Sequence, residues 1–422
     1  MSAVVLARGR RLIPVATPAK TTRQVWAVAA LLALLPLFGE TFTYVVDLPP
    51  IYALAKAWPL LTLPLAVAGA LRSRLPGKGL LIATLAWMIG ATPLISIATL
   101  GDGLAGAFTG TIKVWPLTGV MGLCAVLAWL KPDGRQVTTA LRILGGLTFI
   151  LMGLIWLVAP PEAYTRGIEG TKVFLWDMER GYRLNIPIFF GLLWVFLLNR
   201  RFWARPSLLP PILIAAAFLL MLIVYKQRTQ IGGAALVVVL GPILSAARRR
   251  TAVFGLLLGA MAAAAPLVLA LAGSHDAASS LGGSLTYRQA ELGHALGFLN
   301  SQPLRWVIGA GGATRAGDVD LAAIVGANYF FLSDLGWVGV LFEYGAIGAG
   351  LMLALHIVAL RTGWRASREG GPLAEALFDY CLYLILVSPV LSVVFAPGEL
   401  AVCMALLTVW PAQPLPSDPA PI

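Results

Sequence analysis

The sequence predicts an all-α polytopic membrane protein: a single integral membrane domain over residues 1–422 with about 12 transmembrane helices. Three observations carry this. Of 422 residues, 59% are hydrophobic and only 12% charged, about half the charged share of a soluble domain. The mean hydropathy is +0.84. Apolar runs recur at roughly 20 residues, the length a helix needs to cross a bilayer core. This composition excludes a disordered chain, a disulfide scaffold and a soluble α/β enzyme. Cys124, Cys381 and Cys403 all fall inside apolar runs and offer no CxxC spacing.

The first run, 24–44, follows basic residues, but Gly39-Glu-Thr-Phe-Thr43 after it offers no A-x-A cleavage site. It reads as a retained helix, not a signal peptide. Further spans are expected near 50–71, 79–100, 105–130, 141–159, 184–199, 207–225, 230–247, 251–272 and 335–360, each an apolar stretch flanked by charge or turn residues. The last two, 376–394 and 397–411, contain Pro389, Pro397 and Gly398, which suit a broken helix or a re-entrant hairpin. Trp129, Trp176, Trp203, Trp337 and Trp410 sit near run ends, where interfacial aromatics collect.

Charge sets the orientation. The net charge is +12, from 31 Lys and Arg against 19 Asp and Glu. In a soluble protein this excess would suggest nucleic acid; in this chain it follows the basic bias of inner loops, and no nucleic-acid partner is expected. With the N-terminus inside, every inner loop is basic, including Arg72–Lys78, Arg200–Arg205, Arg248–Arg250 and Arg361–Arg368. Two outer segments are long. Residues 160–183 mix Glu162, Glu169, Asp177 and Glu179 with Arg166, Lys172, Arg180 and Arg183, and residues 273–334 form the largest loop. Within it, Leu285, Leu292, Leu296 and Leu299 fall near one helical face, which predicts an amphipathic helix along the outer membrane surface. The Pro-rich tail 412–422 reads as disordered.

Two lysines, Lys56 and Lys113, lie within runs, both toward the outer end. Insertion of such a charge at a helix centre costs roughly 2.5–3.5 kcal/mol. Either ammonium can snorkel outward, but their matching depth favours a shared anionic partner. Arg183 stands at the mouth of the sixth span, and Lys226 and Arg228 occupy the short outer turn Tyr225-Lys-Gln-Arg-Thr-Gln230. Outer basic residues run against the usual bias. Arg183, Arg228 and Arg288 are therefore expected to face a phosphate-bearing ligand, Arg being suited to bidentate contact with phosphate. The candidate acids and bases are Asp334, Glu343 and His294, with Glu399 at the start of the last span. Asp334 and Glu343 are two and a half helical turns apart and are not expected to pair. Asp334 is also placed to cap the tenth span. HExxH, DxD, P-loop and GxSxG motifs are missing, so neither a metal nor a cofactor is expected.

In layout the chain resembles the superfamily of O-antigen polymerases (Wzy-type) and O-antigen ligases, polytopic membrane glycosyltransferases of the GT-C-like class. Family ligases carry a His, a polar residue, nine variable residues and GxxG where the large loop re-enters the membrane. This sequence has Asp334-Leu335, nine residues, then Gly345-Ala-Ile-Gly348. Asp334 replaces the His, and Ser333-Asp-Leu-Gly336 is nearer the Ser-Asp-x-Gly of polymerases. The resemblance implies a periplasmic active site in the bacterial inner membrane and transfer of glycan from undecaprenyl diphosphate. The product would be O-antigen, capsule or exopolysaccharide. It further implies diphosphate binding by Arg183 and Arg228, to which the reading of the charges adds Lys226, Lys56 and Lys113. Catalytic roles are expected for Asp334, Arg288, Glu343 and His294. Partners would be the lipid-linked oligosaccharide, the bilayer, and a chain-length regulator and flippase of the same pathway. Ligation to lipid A-core is the near alternative. A 12-span secondary transporter or flippase is the alternative from another class, although no half-to-half repeat is visible.

Overall fold

The computed structural model describes residues 18–166, 173–177, 180–246, 283–312, 321–325, 330–392 and 396–409. The predicted span 251–272, much of the loop 273–334 and the tail 412–422 lie outside the described residues. The chain is helical. Four helical segments, Pro49–Arg72, Lys78–Leu100, Gly134–Val158 and Leu332–Arg368, are long and apolar enough to cross a membrane. Shorter apolar helices cover Val25–Phe38, Trp115–Leu130, Leu209–Tyr225, Arg228–Ile243 and Pro397–Val409. Helices Phe189–Ala204 and Gly371–Val387 fall on two further predicted spans.

Several boundaries differ from expectation. The predicted span 105–130 is not one helix: Leu104–Thr109 ends at Gly110, and a 3-10 turn with Pro116 near its start precedes helix Gly119–Leu130. Lys113 therefore sits in an irregular connection, not on a helix. Helix Pro18–Phe38 stops at Gly39, after which Glu40 adopts a left-handed backbone. The outer segment 160–183 is not wholly irregular. Thr165–Arg166 pairs in parallel with Phe174–Asp177, which pairs antiparallel with Gly181–Leu184, so Arg183 is carried on a strand.

The helix expected on the membrane surface is Gly283–Asn300, and it buries Glu291, Ala295 and Leu299. Its apolar face packs on Phe330 and Phe342 through Phe298. Predicted Leu292 and Leu296 are only half-buried, because the neighbour is an aromatic cluster one step around the helix.

The helix Gly336–Glu369 contains a break at Gly345 (φ 64°, ψ −174°). The rings of Trp337 and His356 lie 6.3 Å apart, whereas a straight helix would separate them by roughly 28 Å. The arms 336–344 and 346–369 thus fold back on each other. A helix end leaves its last carbonyls without partners. Three are satisfied from elsewhere: Phe342 O accepts from Ala310 N (2.7 Å), Glu343 O from Gly311 N (3.0 Å) and Tyr344 O from Trp87 Nε1 (3.0 Å).

At the opposite end of the bundle, Arg200 holds Asp379 by a bidentate contact, Nε to Oδ2 and Nη2 to Oδ1, both 2.6 Å. Gly241 leaves space for it, since a Cβ there would fall 2.9 Å from both partners.

The break gives a direct expectation. A Cβ at Gly345 would lie 2.2 Å from Val307 O in a left-handed backbone. Gly345→Ala should destabilise the protein by about 2 kcal/mol or more, read as an earlier thermal unfolding transition in detergent, while Gly350→Ala, which meets nothing, should be near neutral.

Candidate functional site

The segment Gly309–Gly312 lies between two walls. On one side are Phe342–Gly345, on the other the helix Thr92–Leu100 and Gly110. It is buried throughout. A Cβ at Gly309 would sit 2.5 Å from Glu343 O, one at Gly311 2.4 Å from Ser96 Cα, and one at Gly110 2.3 Å from Gly312 O. At the glycine positions only backbone fits between these walls. Thr99 Oγ1 donates to Ala310 O and ties the segment to its second wall.

This contact brings predicted site residues together in two ion pairs. Glu343, fully buried, receives the Lys113 ammonium in a salt bridge. Asp334, in the 3-10 turn Leu332–Leu335, lies 3.8 Å from the Arg288 guanidinium. The N-cap position of the following helix is Leu335, so the expected cap at Asp334 is corrected to an ion pair. Glu291 accepts from Phe331 N at 3.0 Å beside this pair, and His294 is half-buried one turn further along the same helix. Asp334 thus faces Arg288 and Glu343 faces Lys113.

The remaining cations lie by other elements. The Lys226 ammonium donates to Arg180 O (2.9 Å) and stands 5.6 Å from the Trp156 ring centre. Lys56 lies 5.9 Å from the Tyr52 ring centre, near enough to Glu40 to act on its carboxylate. Arg183 is close enough to Tyr225 to act on its hydroxyl. Arg228 is exposed at the first position of helix Arg228–Ala246. Gln227 Nε2 donates to Asn185 Oδ1 (2.7 Å), tying the turn 226–227 to the end of the strand that bears Arg183.

Sequence reasoning missed a carboxylate–tyrosine cluster beside these cations. Glu40 Oε2 accepts from Gly398 N (2.9 Å), and Glu399 Oε2 accepts from Tyr380 OH (2.8 Å). Tyr44, Tyr225 and Tyr383 lie around Glu399. The available signals were an acid at Gly39-Glu40, where the first run stops, and Tyr380 and Tyr383 at i, i+3 in an apolar helix. The cluster joins the Asp334 turn through one connection: Ser392 N donates to Ser333 O (2.9 Å) and Trp337 Nε1 to Ser388 Oγ (2.8 Å).

Chemically, this face offers carboxylates and cations that are already paired, with hydroxyls between them. Such a set can bind an anion by exchanging one of its own carboxylates for it. Scanned against protein-family models the chain matches none, and no curated protein matches it either.

Two expectations follow from the pairs. Glu343→Gln alone should cost about 3–5 kcal/mol by leaving the Lys113 charge buried, and Lys113→Met with Glu343→Met together should recover most of it; a thermal-unfolding cycle in detergent measures both. Burial raises the Glu291 carboxyl above its ordinary 4.5, with Asp334 adding to the effect and the Phe331 N–H and Arg288 opposing it. The folded state then holds this proton more tightly than the unfolded one. Its contribution is present below pH 4.5 and is lost as pH rises through the raised value, so Glu291→Gln should flatten the melting temperature against pH in that window.

Proposed function

We propose that this chain is a membrane glycosyltransferase that polymerises undecaprenyl-diphosphate-linked repeat units on the periplasmic face of the bacterial inner membrane. In this reading twelve spans surround an outward-open site. The observation that carries it is the pairing within 333–348: both acids of this segment, Asp334 and Glu343, face cations brought from other elements, Arg288 and Lys113.

The reaction transfers the growing glycan from its carrier to an acceptor hydroxyl. The bond between the anomeric carbon and the phosphate oxygen breaks, and its electron pair leaves with the diphosphate. A new bond forms from the acceptor oxygen to the anomeric carbon, and the hydroxyl proton passes to a carboxylate. Leaving-group charge needs fixed cations, a task for Arg183, Arg228 and Lys226. Acceptor deprotonation needs a base within hydrogen-bond reach. The diphosphate draws Arg288 toward itself, which frees Asp334 from its counter-ion and raises its basicity. Lys113–Glu343 stays closed beneath as the floor.

A secondary transporter is the second reading, favoured by the helix broken at Gly345, since transporters bind substrate where helices are interrupted.

Purified protein incubated with a lipid-linked repeat unit, its products run on a gel, separates the two. Wild type should yield a ladder. Arg183→Ala and Arg228→Ala should each lower chain formation by about 10²–10³-fold, and Asp334→Asn by about 10²-fold or more, with each protein still in the membrane. Normal-length chains from both arginine variants would sink the diphosphate role; no ladder from wild type, with uptake of a substrate into vesicles, would favour transport.

A further inference from the structure

Asp102 lies in the turn that follows helix Thr92–Leu100, after Gly101 in a left-handed conformation (φ 73°). It is 5% exposed. Its Oδ2 accepts from Ser96 Oγ at 2.6 Å. Its Oδ1 is buried and, among the described residues, has no hydrogen-bond partner. No cationic side chain pairs with it among the described residues either. Ser96 Oγ also lies 3.3 Å from Gly312 O. The hydroxyl carries one proton and spends it on the shorter bond. What remains is a set of acceptors: the carboxylate of Asp102, a lone pair of Ser96 and the carbonyl of Gly312. They come from two stretches of chain, Ser96–Asp102 and Gly312.

Glycines build this set. Gly311 (φ 100°) presses its backbone on Ser96, and Gly110, lacking a Cβ, lets the Gly312 carbonyl pack against its backbone. A buried carboxylate oxygen without a donor is costly. A cation satisfies all three oxygens at once. One carboxylate supplies one negative charge, whereas calcium sites usually recruit several. The spacing favours a small ion: ligands at about 2.4 Å in an octahedral set stand about 3.4 Å apart, close to the 3.3 Å between Ser96 Oγ and Gly312 O.

We propose that Asp102, Ser96 and the Gly312 carbonyl form a binding site for a monovalent cation of sodium size, which clamps the Gly309–Gly312 segment to the helix Thr92–Leu100. Water completes the coordination. Gly311 N donates to Glu343 O, so the clamp also steadies the arm that carries Glu343. The site stands apart from glycosyl transfer and does not depend on it.

The test uses the full-length protein purified without sodium in choline chloride. Sodium should raise its melting temperature by about 3 °C or more over choline at equal ionic strength, and potassium should do less. Radiolabelled sodium should bind the wild type saturably. Asp102→Asn should abolish both signals, and Ser96→Ala, which keeps a good helix former in place, should weaken sodium binding about tenfold. A wild type that melts alike in sodium, potassium and choline overturns the proposal. Unchanged sodium affinity in Ser96→Ala also overturns it, whether or not Asp102→Asn folds.

Discussion

The break at Gly345 is the constraint on which the surrounding part of the structure depends. Inside a bilayer a broken helix is tolerated only if the freed backbone groups find partners. Here Phe342 O, Glu343 O and Tyr344 O find them in Ala310 N, Gly311 N and Trp87 Nε1. Two of those donors belong to a segment far along the chain from the helix Thr92–Leu100 it also touches. The break therefore fixes the Gly309–Gly312 segment, and the segment in turn fixes what faces it. A side chain on Gly309, Gly311 or Gly345 would meet backbone, which cannot yield as a flexible side chain can.

Buried charge is handled in the same way at both ends of the bundle. Lys113 meets Glu343 at one end and Arg200 meets Asp379 at the other. Pairs of this kind seldom stabilise a fold more than packed apolar residues would, because desolvation offsets the attraction. Their effect is to make a wrong arrangement expensive, since a slipped helix would strand a charge in an apolar interior. Arg200 adds a second acid, Glu375, at 3.7 Å, which keeps the guanidinium satisfied as Asp379 is held. The Arg288–Asp334 pair is different. Its side chains are 28% and 43% exposed, so water screens it and it can open at little cost. Of the two pairs near the break, this is the one suited to exchange partners with an incoming anion.

The sequence revealed these features unevenly. Helices were legible because hydropathy is local: Lys78–Leu100 and Gly134–Val158 fall close to expected spans. The depth of Lys113 was legible as an anomaly, but its partner was not, since Glu343 lies 230 positions away and cost alone names no counter-ion. Gly345 was visible as part of a spaced motif. Its backbone role was hidden, because a glycine in an apolar run reads equally well as a packing residue. The sheet Thr165–Leu184 was missed for a plain reason: strands of two and four residues carry too short a pattern for alternation to register. Glu40 escaped notice because it closes the first apolar run and its partner, the Gly398 N–H, is supplied by the last helix.

That last contact shows how the site is assembled. Glu40 follows the first helix and Gly398 begins the last, while Tyr380, which reaches Glu399, stands on the helix between the broken one and the last. Ser333 and Trp337, next to Asp334, bond the turn after Tyr383. Displacing the Asp334 turn therefore pulls on the connection that aligns Tyr380 and Tyr383 against Glu399. Two hydrogen bonds thus link the Asp334 turn to the stretch that follows Tyr383. Tightly packed backbone at Gly309–Gly312 therefore lies on one side of the break, and a water-screened ion pair near the other.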